Sequence, residues 1–185
     1  MCDLDEKALL EKAAEGDAKA FEPLVQKYRQ NAYSYALTLL HNHHDAMELS
    51  QDAFVRAFRS LKKFDLERPF LPWFLRVLRN LCLNRIDKRK RRPDSPGPVD
   101  SMEIIEILPC GGKKPTDVIE NKELAEKIQA AIKELPEDHR EVLILRHFED
   151  QSYEDIARIL DIPIGTVMSR LFNARKKMAK ILKKR

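Results

Sequence analysis

Apolar residues recur at steps of three and four along nearly the whole chain, and the pattern breaks in one long stretch. That period puts them on one side of an α-helix, whereas a half-buried strand would alternate. From Ala18 to Leu40 the stripe is Phe21, Leu24, Val25, Tyr28, Ala32, Tyr35, Ala36 and Leu39. The same spacing predicts a helix from Leu4 to Ala14. It predicts another from Asp45 to Leu61, with Leu49, Ala53, Phe54, Ala57, Phe58 and Leu61 on one side. A further helix is expected from Phe70 to Arg92, with Phe74, Val77, Leu78, Leu81 and Ile86 inward. Thr116 can cap a helix reaching Leu135, and Pro136 can start the next, with Val142, Leu143 and Phe148 on its stripe. No run alternates β-branched residues, so the expected fold class is all-α.

The break lies between Pro93 and Pro115, which hold five of the ten prolines and three of the five glycines. Both residue types interrupt helices, so the segment reads as a flexible linker. Two small helical domains are expected, 1–92 and 116–185, joined by 93–115. No apolar run approaches the roughly 20 residues needed to cross a bilayer. Met1-Cys2-Asp3-Leu4-Asp5-Glu6 is acidic where a secretory signal would be basic and then apolar, which points to the cytoplasm. Cys2, Cys82 and Cys110 are scattered and form no CxxC pair, so they are expected to be reduced thiols and not a disulfide or zinc framework.

A net charge of only +4 conceals two cationic stripes. Arg76 to Arg92 holds eight basic residues and one acid, Asp87; Ile162 to Arg185 holds eight and no acid. The rest of the chain is strongly acidic. Two separated basic stripes, each on an apolar-periodic helix, suggest two contacts with a polyanion such as nucleic acid. Solvated helix faces are the plainer alternative.

The segment from Gln151 to Arg170 is the most informative. Ser152 is a good N-cap, with the acid Asp155 three residues on. Ile156 and Leu160 point inward, and Ala157 is small where two helices approach. Asp161 falls at a tight turn, where Asp tolerates the left-handed conformation. Pro163 suits the first turn of the next helix. Val167, ten residues after Ala157, packs that helix onto the first. This is the spacing of a DNA-binding helix-turn-helix. Its second helix would enter the major groove with Thr166, Ser169, Arg170 and Asn173 exposed. Arg170 can read guanine bidentately and Asn173 adenine, while Thr166 or Ser169 can hold phosphate or base. Arg175, Lys176, Lys177 and Lys180 extend the basic face toward phosphates.

With these motifs in view, the chain resembles the bacterial RNA polymerase sigma factors of the extracytoplasmic-function (ECF) type, which keep only two domains. The resemblance lies in Phe21-Glu22-Pro23-Leu24-Val25, in the run from Asp45 to Phe58, and in Trp73 to Asn80 with the basic run after it. In the second half it lies in Leu135 to Leu143, in Ser152 to Ala157, and in Gly165 to Leu171. It spans roughly 10–92 and 116–182, in the family's order.

The resemblance implies a function: directing core RNA polymerase to promoters and helping to open the duplex. It implies that the helix from Asp45 docks on the polymerase through Glu48, Leu49, Gln51, Asp52, Phe54 and Arg56. The loop 62–72 would catch a base flipped from the downstream (−10) element. Asn80, Asn84, Arg85, Lys88 and Arg89 would hold the melting strand. Cations on such a surface suit a single strand, and binding a flipped base couples recognition to melting. Thr166, Ser169, Arg170, Phe172, Asn173, Arg175 and Lys176 would serve the upstream (−35) element. An anti-sigma protein is the further partner implied, with no direct membrane insertion. No cofactor, metal or catalytic residue is implied, since the catalysis belongs to the polymerase. By the same resemblance the linker, with acids Asp94, Asp100, Glu103 and Glu106, would thread the polymerase's nucleic-acid channel.

Some positions depart from the family pattern. Met168 stands where Lys or Arg is usual, Asn173 where Arg is often found, Asn84 where Asp is common, and Asp161 where the turn usually has Gly. The changes at Met168 and Asn173 alter two upstream contacts and put the family's usual upstream sequence in question for this chain.

Other readings of single motifs follow from the residues themselves. Trp73 and Phe74 can be stacking platforms, but their helical spacing favours a core role. Val142, Leu143 and Phe148 could touch the polymerase but are first of all core. His41-Asn42-His43-His44-Asp45 with Glu48 invites a metal-site reading. The other histidines, His139 and His147, fall in the second domain, so a polar inter-helix turn is expected instead. A stand-alone helix-turn-helix regulator is the alternative function. The 23-residue linker spans on the order of 75–80 Å at ~3.3–3.6 Å per residue. That just covers two sites about two DNA turns (~70 Å) apart.

Overall fold

The computed structural model describes residues 3–91 and 127–184, apart from 129. Among them there is helix and no strand, and the chain divides into two compact units, Met1–Ser101 and Met102–Arg185. The linker 93–115, its acids and Arg92 lie outside the described residues.

The first unit contains α1 (Asp3–Ala14), α2 (Ala18–Leu40), α3 (His43–Ser60), a 3-10 turn (Leu61–Lys63) and α4 (Phe70–Arg91). The Asp17 side chain starts α2 by accepting from the Lys19 and Ala20 amides at 2.9 and 3.3 Å. His41 ends it in the left-handed region (φ 51°), and Asn42 at once caps α3 by accepting from the Asp45 amide at 2.9 Å. The histidine-rich segment is thus the joint between two helices. α2, α3 and α4 pack on one another around Phe21, Leu24, Tyr35, Phe54, Phe70, Phe74 and Leu78. Phe54 and Phe74 stack at 4.4 Å between ring centres. Phe74 is core, as its spacing predicts, and half-buried Trp73 lies against Phe64 at 4.7 Å. α1 is tied on by Glu6, which accepts from the Tyr28 hydroxyl at 2.8 Å and pairs with Lys27.

In the second unit only the end of the helix expected over 116–135 is described, with 130–133 helical. α5 (Glu137–His147) follows Pro136, then α6 (Tyr153–Leu160) and α7 (Ile164–Lys184). Arg140 bends back so that its guanidinium donates to the carbonyls of Ile132, Lys133 and Leu135 at 3.1, 2.6 and 2.9 Å. Val142 and Leu143 of that stripe are buried and core, while Phe148 is half-buried. The Ser152 hydroxyl accepts from the Asp155 amide at 3.0 Å and donates to its carboxylate at 2.6 Å. Asp161 takes φ 57°, the left-handed turn residue that the spacing predicts. Pro163 stands just before α7, and its carbonyl accepts from the Thr166 amide at 2.9 Å. Val167 and Leu171 of α7 close on Ile156 and Leu160 of α6, all buried. The two helices and their turn form a helix-turn-helix.

Candidate nucleic-acid interface

In the first unit, α3 and α4 are bound together by a cluster of ions. Asp45, whose side chain is only 6% exposed, accepts from Arg85 at 2.6 Å and also pairs with Arg89. Glu48 takes the other side of the Arg85 fork at 2.7 and 3.2 Å. This hydrogen bond holds the Glu48 carboxyl below its ordinary pKa and raises that of Arg85. The acids of the segment tested above for metal binding are therefore engaged by arginines from α4. Beside the cluster runs an open groove lined by Leu49, Asp52 and Arg56 from α3 and Leu81, Asn84, Arg85 and Lys88 from α4.

In the second unit, α7 buries Val167, Leu171 and Ala174 and exposes Met168, Ser169, Phe172, Asn173, Arg175 and Lys176. Thr166 and Arg170 are half-buried on its flank. The Arg170 Nε lies 3.6 Å from the Asp138 carboxylate of α5, and Arg175 reaches His147 at 3.4 Å. Burial, with Arg175 and Arg146 nearby, lowers the His147 pKa from its ordinary 6.5.

Residues 24–92 match the family described as Sigma-70 region 2, and residues 125–178 match Sigma-70 region 4, one in each unit. The chain is 31% identical over 182 residues to the ECF RNA polymerase sigma factor SigW of Bacillus subtilis, covering 96% of both proteins. It is 36% identical to the RNA polymerase sigma-H factor of Pseudomonas aeruginosa, covering 96% of this chain and 93% of that protein. The chain belongs to the ECF sigma factor family. Its fold is similar to that of the sigma factor RpoE from Bartonella quintana, solved in complex with the anti-sigma factor NepR. The TM-score is 0.71 at 27% identity, covering 90% of this chain and 98% of that one. The protein is a promoter-directing sigma factor of RNA polymerase, a transcription-initiation factor.

The structure of this sigma factor sorts the residues read from the sequence. Glu48, Gln51, Asp52 and Arg56 share the exposed side of α3. Leu49 and Phe54 do not: they are 4% and 7% exposed and pack beneath that side, with Leu49 also at the wall of the groove. Asn80, Asn84 and Lys88 follow one exposed line of α4, while Arg85 and Arg89 lie beside it, held by α3 acids. The sequence reading weighed Asp45 only as part of the histidine-rich segment, without its pairing to α4 arginines, and missed that Met47 and Val55 stand exposed on α3. It took Met168 as an altered upstream contact, and Met168 is 49% exposed. Apolar side chains at positions that the helical period assigns to water are the signal that could have found Met47 and Val55.

Proposed function

We propose that this sigma factor divides its work between its two units. Region 2 is 1–92, 93–115 is the connecting segment and region 4 is 116–185. In region 2, Glu48, Gln51, Asp52 and Arg56 form the docking face for core RNA polymerase. Asn80, Asn84, Arg85, Lys88 and Arg89 hold the melting strand of the downstream element. In region 4, α7 enters the major groove of the upstream element. There Ser169, Phe172 and Asn173 face the bases, with Thr166 and Arg170 at one flank and Arg175 and Lys176 toward phosphates. The protein supplies no catalytic group, acts in the cytoplasm, and is held inactive by an anti-sigma protein. The NepR complex of the similar RpoE supports that last point.

The observation that carries this reading is the outward side of α7. It is cationic and free of acids over Ile162 to Arg185, and it is held at a fixed angle by a capped helix-turn-helix. One such module buries only about 600–1,000 Å² on DNA, so a second contact through region 2 and the polymerase is needed for tight specific binding. Run-off transcription with core RNA polymerase on a promoter library tests the reading. Transcripts that require the added protein and share a two-part sequence support it, and absence of protein-dependent transcripts refutes it. Arg170→Ala is expected to cost about 1–3 kcal/mol of promoter binding and relax selection at one upstream base pair. An equal loss on all promoters would move Arg170 to a phosphate.

A further inference from the structure

We propose that Met168 and Phe172 read the upstream element through the 5-methyl groups of thymine. This rests on the reading of α7 as the upstream reader and states what two of its side chains recognise. Ile164, Met168 and Phe172 recur every four residues along α7 and are 38%, 49% and 66% exposed. They make half of the large apolar side chains that stand open to water among the described residues. Exposed Ser169, Asn173 and Lys176 border them, and no acid lies anywhere from Ile162 to Arg185. The charge around these apolar groups therefore favours a polyanion as the occupant. Within a major groove the base edges display donors, acceptors and one apolar group, the thymine methyl. Met168 and Phe172 have no side-chain N–H or O–H with which to distinguish purines, so the methyl is the feature they can sense. The flexible thioether can fit against a methyl with little strain.

The test uses the full chain with core RNA polymerase on a promoter recovered from a library. Each upstream thymine is replaced in turn by deoxyuridine, which removes the methyl and keeps every hydrogen-bonding group. Binding is expected to weaken about fourfold at one or two positions, the worth of one buried methyl. Met168→Ala should lose sensitivity at one position and Phe172→Ala at another. Both side chains are exposed, so both variants should fold, with unchanged helicity by circular dichroism. Promoter-specific transcription with a flat deoxyuridine profile overturns the inference and leaves the proposed function standing. A flat profile together with weaker capture of the polymerase by Met168→Ala also overturns it and assigns the surface to a protein. An upstream element selected without thymine overturns it too. Loss of promoter-dependent transcription altogether overturns both readings.

Discussion

Asp45 occupies a position where two pressures agree. As the third residue of α3 it lies where a negative charge suits the helix dipole, and this much follows from local sequence. Its two arginine partners come from 40 and 44 residues away. No periodicity announces such a pairing, because it depends on how α3 and α4 cross. Removing the carboxylate leaves Arg89 without its partner and Arg85 with Glu48 alone. Asp45→Ala is expected to cost about 1.5–3 kcal/mol in chemical denaturation of region 2. Glu48→Gln, at the exposed end of the cluster, is expected to cost less than about 1 kcal/mol. Arg140 is a second residue of this kind. Burial lowers its pKa from the ordinary value, yet its planar fork meets three carbonyls at the end of the preceding helix. A lysine offers no such fork, so Arg140→Lys is expected to recover little of the roughly 1–3 kcal/mol lost in Arg140→Ala. Thermal or denaturant unfolding followed by circular dichroism checks both.

At the scale of elements, periodicity and capping residues were enough to find the helices of the described residues. α2 runs from Ala18 to Leu40 as its stripe predicts, and α3 starts two residues before the expected Asp45 because Asn42 captures the cap. Ser152, Asp161 and Val167 behave as their spacing required, since a helix-turn-helix is specified by local residues. The cationic stripes were harder to interpret. Sequence shows that Arg85 and Arg89 are basic, but not that acids on α3 already hold them. It shows a polar side on α3 and puts Leu49 and Phe54 on the apolar one, but not that Met47 and Val55 stand open to water. The junction of α5 and α7 adds a dependence on pH. Burial and two neighbouring arginines keep folded His147 neutral at pH values where the unfolded chain takes up its proton. The unfolded state then binds more protons, so stability should fall as pH drops through about 6.5 and level off below the folded pKa. Denaturation midpoints at a series of pH values are expected to show this slope in the native chain and to lose that part in His147→Gln.

For the whole molecule, the proline and glycine segment marks the division into two units, and each unit carries one of the two matched regions. The expectation of two domains rested on composition through which a helical period cannot continue. If the two units grip two elements of one duplex, the phase between those elements matters. Inserting about half a turn, roughly five base pairs, should turn one element to the opposite side of the DNA and abolish most transcription. A full turn should restore part of it, up to the reach of the connecting segment. Run-off assays on spacer variants measure this directly.

The groove between α3 and α4 has one more implication. Asp52 and Arg56, proposed to hold the enzyme, and Asn84, Arg85 and Lys88, proposed to hold the opened strand, line a single cleft. If the proposed roles hold, a bulky substitution in this cleft should weaken polymerase capture and strand opening together, a coupling that separate sites would not show.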